Sequence, residues 1–113
     1  MERTKTERKR STRGTVDLLV LKTLARGPQH GWAVSQRIRE ISRDVLQVNQ
    51  GALYPALQRL EEQGWVSSEW GVPAANRPAK FYRLTHAGVQ ELERETATWA
   101  QVAAAMSLIL ETS

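Results

Sequence analysis

The chain has 113 residues, room for one domain with a small core, and a second subunit would be a natural way to bury more apolar surface. With 41% hydrophobic and 25% charged residues it has the composition of a globular protein. Its apolar runs fall short of the ~20 residues a membrane span needs, so no membrane partner is expected. Cysteine is absent, which removes disulfides, thiolate zinc sites and thiol nucleophiles together, and the net charge is +4.

That charge is unevenly placed. In "MERTKTERKRSTR", residues 1–13, Arg3, Lys5, Arg8, Lys9, Arg10 and Arg13 oppose only Glu2 and Glu7, while residues 14–113 carry ten basic and ten acidic side chains. The segment has no apolar stretch, so it reads as neither a secretory signal nor an anchor, and a cytoplasmic location is expected. As a flexible basic arm it could follow a phosphate backbone, releasing counterions as it does so. A plain solvated terminus is the alternative reading.

Next, "GTVDLLVLKTLARGP" sets Val16, Val20, Leu21 and Leu24 at helical spacing and stops at Gly27 and Pro28. "HGWAVSQRIREIS" repeats the pattern, with Val34, Ile38 and Ile41 on one stripe. A third helix is read in "NQGALYPALQRLEEQGW", where Leu53, Leu57 and Leu60 share a face and Gly64 is placed as a C-terminal stop. Pro55 is cheap only within a first turn, so the helix is expected to start near Gly51 and Ala52, or to be distorted if Asn49 is the cap.

Then the period changes. "WVSSEW" alternates, "GVPAANRPA" breaks the chain and "KFYRL" is β-prone, which together make a hairpin with a long tip. Thr85 is a plausible N-cap for a last long helix. Along it Val89, Leu92, Thr96, Trp99, Ala103, Met106 and Leu110 are spaced alternately by three and four, a seam that wants a partner helix.

A mainly α chain with a small β-hairpin results: a winged helix-turn-helix over residues 14–85 and a C-terminal dimerisation helix over residues 86–113. If the third helix is the recognition helix, its leucines hold it to the core, and Gly51, Pro55 and Gln58 face away with Tyr54 at the flank. Gln50 and Gln58 can hydrogen-bond base edges, Tyr54 can reach a phosphate, and Arg59 is the basic residue of the same helix. The wing has no acidic residue between Trp70 and Gln90, whereas Arg77, Lys80 and Arg83 are basic. Arg77, held extended by Pro78, could reach a phosphate or the minor groove.

Chemistry fares poorly by comparison. His30 and His86 are the only histidines, and the acidic residues show neither a paired-carboxylate nor a metal-ligand spacing, so no enzyme, metal or cofactor is expected.

"DLLVLKTLARGPQHGW", "GALYPALQRLEEQGWV", the "WG" at Trp70 and Gly71, "RPAKFYRLT" and "HAGVQEL" together resemble the PadR family of bacterial transcriptional regulators, from about Gly14 to Leu110. The resemblance implies a dimeric winged-helix repressor on a palindromic operator in double-stranded DNA. By position, Gln50, Gly51, Tyr54, Pro55 and Gln58 become recognition-helix contacts, and Arg77 and Lys80 wing contacts. Two residues depart from the family pattern: Ala52 stands where Thr or Ser is usual, and Trp32 where Tyr is usual. In multidrug-sensing relatives a Trp in a similar place stacks flat aromatic compounds. Trp99 is therefore a candidate platform for a small aromatic effector, with Ala103 and Met106 leaving adaptable space; simple filling of the dimer core is the other reading. A winged-helix module that binds another protein, without an operator, is the rival function.

Overall fold

The computed structural model describes residues 5–71 and 79–112, with side chains from Gly14 onward. In chain order the elements are α1 (Lys5–Leu24), β1 (Gln29–His30), α2 (Gly31–Ile41), α3 (Gln50–Glu62), β2 (Val66–Gly71), β3 (Ala79–Leu84) and α4 (His86–Glu111). Helix α1 starts well inside the segment expected as a flexible arm. Lys, Arg and Glu are good helix formers, and no proline intervenes before Leu24, so the backbone can continue the helix without an apolar stripe to announce it.

The three helices converge on one core. Val20, Leu21 and Leu24 of α1, Val34 and Ile38 of α2, and Leu53, Ala56, Leu57 and Leu60 of α3 are all buried. Val66, Tyr82 and Leu92 close it from the sheet and α4. Each helix contributes residues three or four apart, the spacing that keeps side chains on one face. Burying a leucine fully is worth roughly 1.5–3 kcal/mol, so the four buried residues of α3 fix which side of that helix can face outward.

The ends of the elements follow from particular residues. Gly64 takes φ +79°, the Trp65 N–H donates to the Leu60 carbonyl at 3.0 Å and the Gly64 N–H to the Glu61 carbonyl at 3.0 Å, which is a Schellman stop after α3. Thr85 caps α4, its hydroxyl accepting from the Gly88 N–H at 3.0 Å and donating to the Gly64 carbonyl at 2.6 Å. The end of α3 and the start of α4 are thereby tied through one side chain.

The sheet has order β1-β3-β2 and is antiparallel throughout. Register runs from Val66 opposite Leu84 to Gly71 opposite Ala79, which confirms the two long strands read from alternation. The third strand, β1, pairs Gln29 with Tyr82 and His30 with Phe81. Two residues are too few to show a period, so nothing in the sequence pattern announced it.

Candidate nucleic-acid interface

Helix α3 is capped by Asn49, whose side chain accepts from the Ala52 N–H at 2.9 Å. The cap therefore lies before Gln50, and Pro55 falls inside the helix rather than in its first turn. Pro55 has no N–H to give the Gly51 carbonyl four residues back, and an interior proline ordinarily costs ~3 kcal/mol. The packing of Leu53, Ala56 and Leu57 on either side of it, all fully buried, holds the helix through that defect.

Opposite those residues lies an exposed strip of Gln50, Gly51, Tyr54, Pro55 and Gln58. It contains no charged group, and the Gln58 amide turns aside to Glu62 at 3.3 Å. Tyr54 is 42% exposed and lies across the start of α2: a Cβ on Gly31 would stand 2.9 Å from its ring. Glycine at residue 31 is thus what lets the phenol lie down beside the strip.

Arg59 lies apart from this strip. Its guanidinium reaches inward to Asp17 of α1 at 2.8 Å, in a part-buried pair that ties α1 to α3, and its Nε is shielded from solvent without a partner. The helical position of Arg59 is compatible with either face, but Asp17 sits across the helix contact and claims it. Among the wing residues, Lys80 is placed beside α3, its Nζ 4.0 Å from Glu61 and about 6 Å from the Trp70 and Tyr82 rings at 5.9 and 6.0 Å. Arg83 pairs with Glu69, so the one-sign wing read from the sequence is partly neutralised at its base. Arg77 lies outside the described residues.

Two tryptophans flank the strip and were not among the candidate contacts. Trp32, on α2, borders an open groove of about 570 Å³ together with Ser35, Gln36, Arg39, Asn49 and Gln50. Trp70, 70% exposed on β2, borders a second, mostly apolar cleft of about 280 Å³ shared with His30, Tyr54, Lys80 and Tyr82. In the floor of that cleft His30 packs on Phe81 at 4.0 Å between ring centroids, and burial, with Glu61 and Tyr54 next, raises the Tyr82 phenol above its ordinary pKa. The available signal was the pair of tryptophans at element starts and ends with no apolar stripe to bury them.

On α4 the expected seam divides. Leu92, 9% exposed, belongs to the protomer's own core, whereas Val89, Thr96, Trp99, Met106 and Leu110 are exposed and Ala103 is half-buried. Val102, Leu108 and Ile109, outside the expected seam, are exposed as well. Trp99 forms one wall of a groove of about 440 Å³ against α1, with Gly14, Thr15, Leu18, Glu95, Thr98 and Val102; Ala103 and Met106 are not among its walls.

This arrangement of helices, wing and trailing helix has close counterparts. Residues 20–94 match the profile of the family described as "Transcriptional regulator PadR-like family". The chain belongs to the PadR family. The PadR chain is also 40% identical over 76 residues to a transcriptional regulator of Mycobacterium tuberculosis strain H37Rv, covering 67% of each. A PadR family transcriptional regulator from Eggerthella lenta superposes with a TM-score of 0.76 at 31% identity, covering 96% of this chain and 93% of that one. A transcriptional regulator from Clostridium thermocellum does so with a TM-score of 0.81 at 25% identity, covering 89% and 98%. PadR-family proteins are transcriptional regulators that bind DNA, not enzymes, and this chain is one of them. Among its described residues no helix is long and apolar enough to cross a membrane.

Proposed function

We propose that the protein is a homodimeric repressor that reads a palindromic operator with α3 and is released by a small aromatic effector. The observation that carries the reading is the uncharged, exposed strip Gln50, Gly51, Tyr54, Pro55 and Gln58 set between two grooves. A helix meant only to dissolve a surface carries charges there; one meant to enter a major groove keeps its contact face slim and supplies amides for base edges. In this arrangement Gln50 and Gln58 face bases and Gly51 lets the capped end of α3 close on a phosphate. Tyr54 gives a second backbone contact, and Lys80 and Arg77 lie along the adjoining strand. The surplus charge of residues 1–13 supplies long-range attraction.

The exposed apolar residues of α4, Val89, Trp99, Met106 and Leu110 with Val102 and Ile109, support pairing with a second copy. A two-fold dimer places its recognition helices one helical turn of DNA apart, ~34 Å. An aromatic effector at Trp99 would act by favouring a dimer with a different separation.

Anisotropy of labelled DNA from upstream of the protein's own gene, against scrambled DNA of equal length and across a salt series, tests the reading. Preference for the upstream DNA with a steep salt slope is expected. Absence of DNA binding at low salt would overturn it in favour of a protein-binding module, whose apolar interface responds little to salt.

A further inference from the structure

The groove between α1 and α4 is not simply apolar. Leu18, Trp99 and Val102 furnish its hydrophobic walls, but Glu95 stands among them one turn before the indole. One oxygen of that carboxyl, Oε2, is shut off from solvent and has no hydrogen-bond partner. A buried carboxylate oxygen without a donor is costly, and the neighbours do not relieve it. Arg94, the nearest cation on α4, is engaged with Glu91. Asp17, facing from α1, is an acid itself and holds Arg59 of α3. The groove thus combines an exposed aromatic plane with an acceptor that lacks a donor.

We propose that this groove selects effectors by charge, taking a flat aromatic ring that bears a protonated nitrogen, with the ring against Trp99 and the N–H on the Glu95 carboxyl. The inference rests on the reading of Trp99 as an effector platform and names the ligand's chemical class. A flat ring satisfies the indole by stacking, and the cationic N–H satisfies the carboxylate by a charge-assisted hydrogen bond. A neutral ring gains only the first. An aromatic carboxylate meets Glu95, Glu91 and Asp17 and is repelled.

Acid–base behaviour follows from the same surroundings. Burial, then the charges of Glu91 and Asp17 and a hydrogen bond from Glu91, hold the Glu95 carboxyl up to about 7, with Arg94 acting against them. A bound cation favours the ionised form, so uptake of the cation expels a proton and weakens as the pH falls through neutrality.

Isothermal calorimetry of the full chain with two three-ring probes of the same outline tests this: 9-aminoacridine, a cation near neutral pH, and the neutral acridone. The expected result is a preference for 9-aminoacridine of about tenfold at about pH 8, shrinking towards about pH 6. Glu95→Gln is expected to abolish the preference while leaving acridone affinity unchanged, which also shows that the variant is folded. Equal affinities in the wild type, or a preference that survives in Glu95→Gln, overturn the charge selection alone. If neither probe binds, or if Trp99→Ala leaves both affinities untouched, the effector platform itself fails.

Discussion

Tyr54 is the side chain on which the DNA-facing strip is most readily tested, because it is half exposed and rests on Gly31 rather than in the core. Tyr54→Ala is expected to weaken operator binding by about tenfold, the worth of one good polar contact, with an unchanged thermal midpoint. Anisotropy and a melting curve check the two halves. Arg59 makes the opposite case. Arg59→Ala leaves Asp17 part-buried beside Glu95 without its guanidinium, so a loss of about 1–3 kcal/mol in urea stability is expected, with operator affinity per folded molecule unaffected. A loss of affinity without a loss of stability would return Arg59 to the DNA face. For Glu95 the sign is set by its raised pKa. The unfolded carboxyl ionises at its ordinary value near 4.5 and the folded one at about 7, so the folded chain holds the extra proton between those values and loses stability as the pH rises through them. Urea midpoints are expected to fall from about pH 5 to about pH 8 in the wild type and to flatten over that range in Glu95→Gln.

At the scale of elements, Gly88 decides how α4 is seated. A Cβ there would stand 2.0 Å from the Trp65 carbonyl oxygen, a backbone atom that cannot swing away. Gly88→Ala is therefore expected to dislodge the first turn of α4 despite alanine's better helix propensity, lowering the melting temperature by several degrees, as a cost of ~1 kcal/mol or more does in a domain of this size. Most of the elements were legible beforehand because their signals are local. Leu53, Leu57 and Leu60 face inward as their spacing requires, Gly64 stops α3 and Thr85 caps α4. What escaped was non-local or too short. Helix α1 begins at Lys5 in a run of helix formers without a stripe, and β1 has only two residues. Arg59 is turned inward by Asp17, forty-two residues earlier in the chain. Leu92 belongs to the core because α4 packs on its own α1 before it reaches the free part of the seam. The candidate contacts on α3 were readable as a helical face. The tryptophans beside them were not, since only the fold brings Trp32 and Trp70 to the two sides of Tyr54.

Taken whole, the molecule is long for its mass, 58 Å in one direction against 30 and 26 Å in the others. Much of that length is α4, whose last turns expose Met106, Leu108, Ile109 and Leu110. If they pair with a second copy, sedimentation is expected to report a dimer, and charged replacements such as Ile109→Glu should shift it towards monomer by at least tenfold in the dissociation constant. A persistent dimer in that variant would move the interface elsewhere. The seat of α4 gives this helix one more property. Its first turn is held at a single corner, where Thr85 bonds Gly64 and Gly88 presses on Trp65, immediately beyond the last turn of α3. A rod of 26 residues is ~39 Å long, so turning it by about 5° about that corner sweeps its far end through roughly 3 Å. The corner is a fulcrum, and α4 is the long arm of a lever whose short arm is the end of the recognition helix.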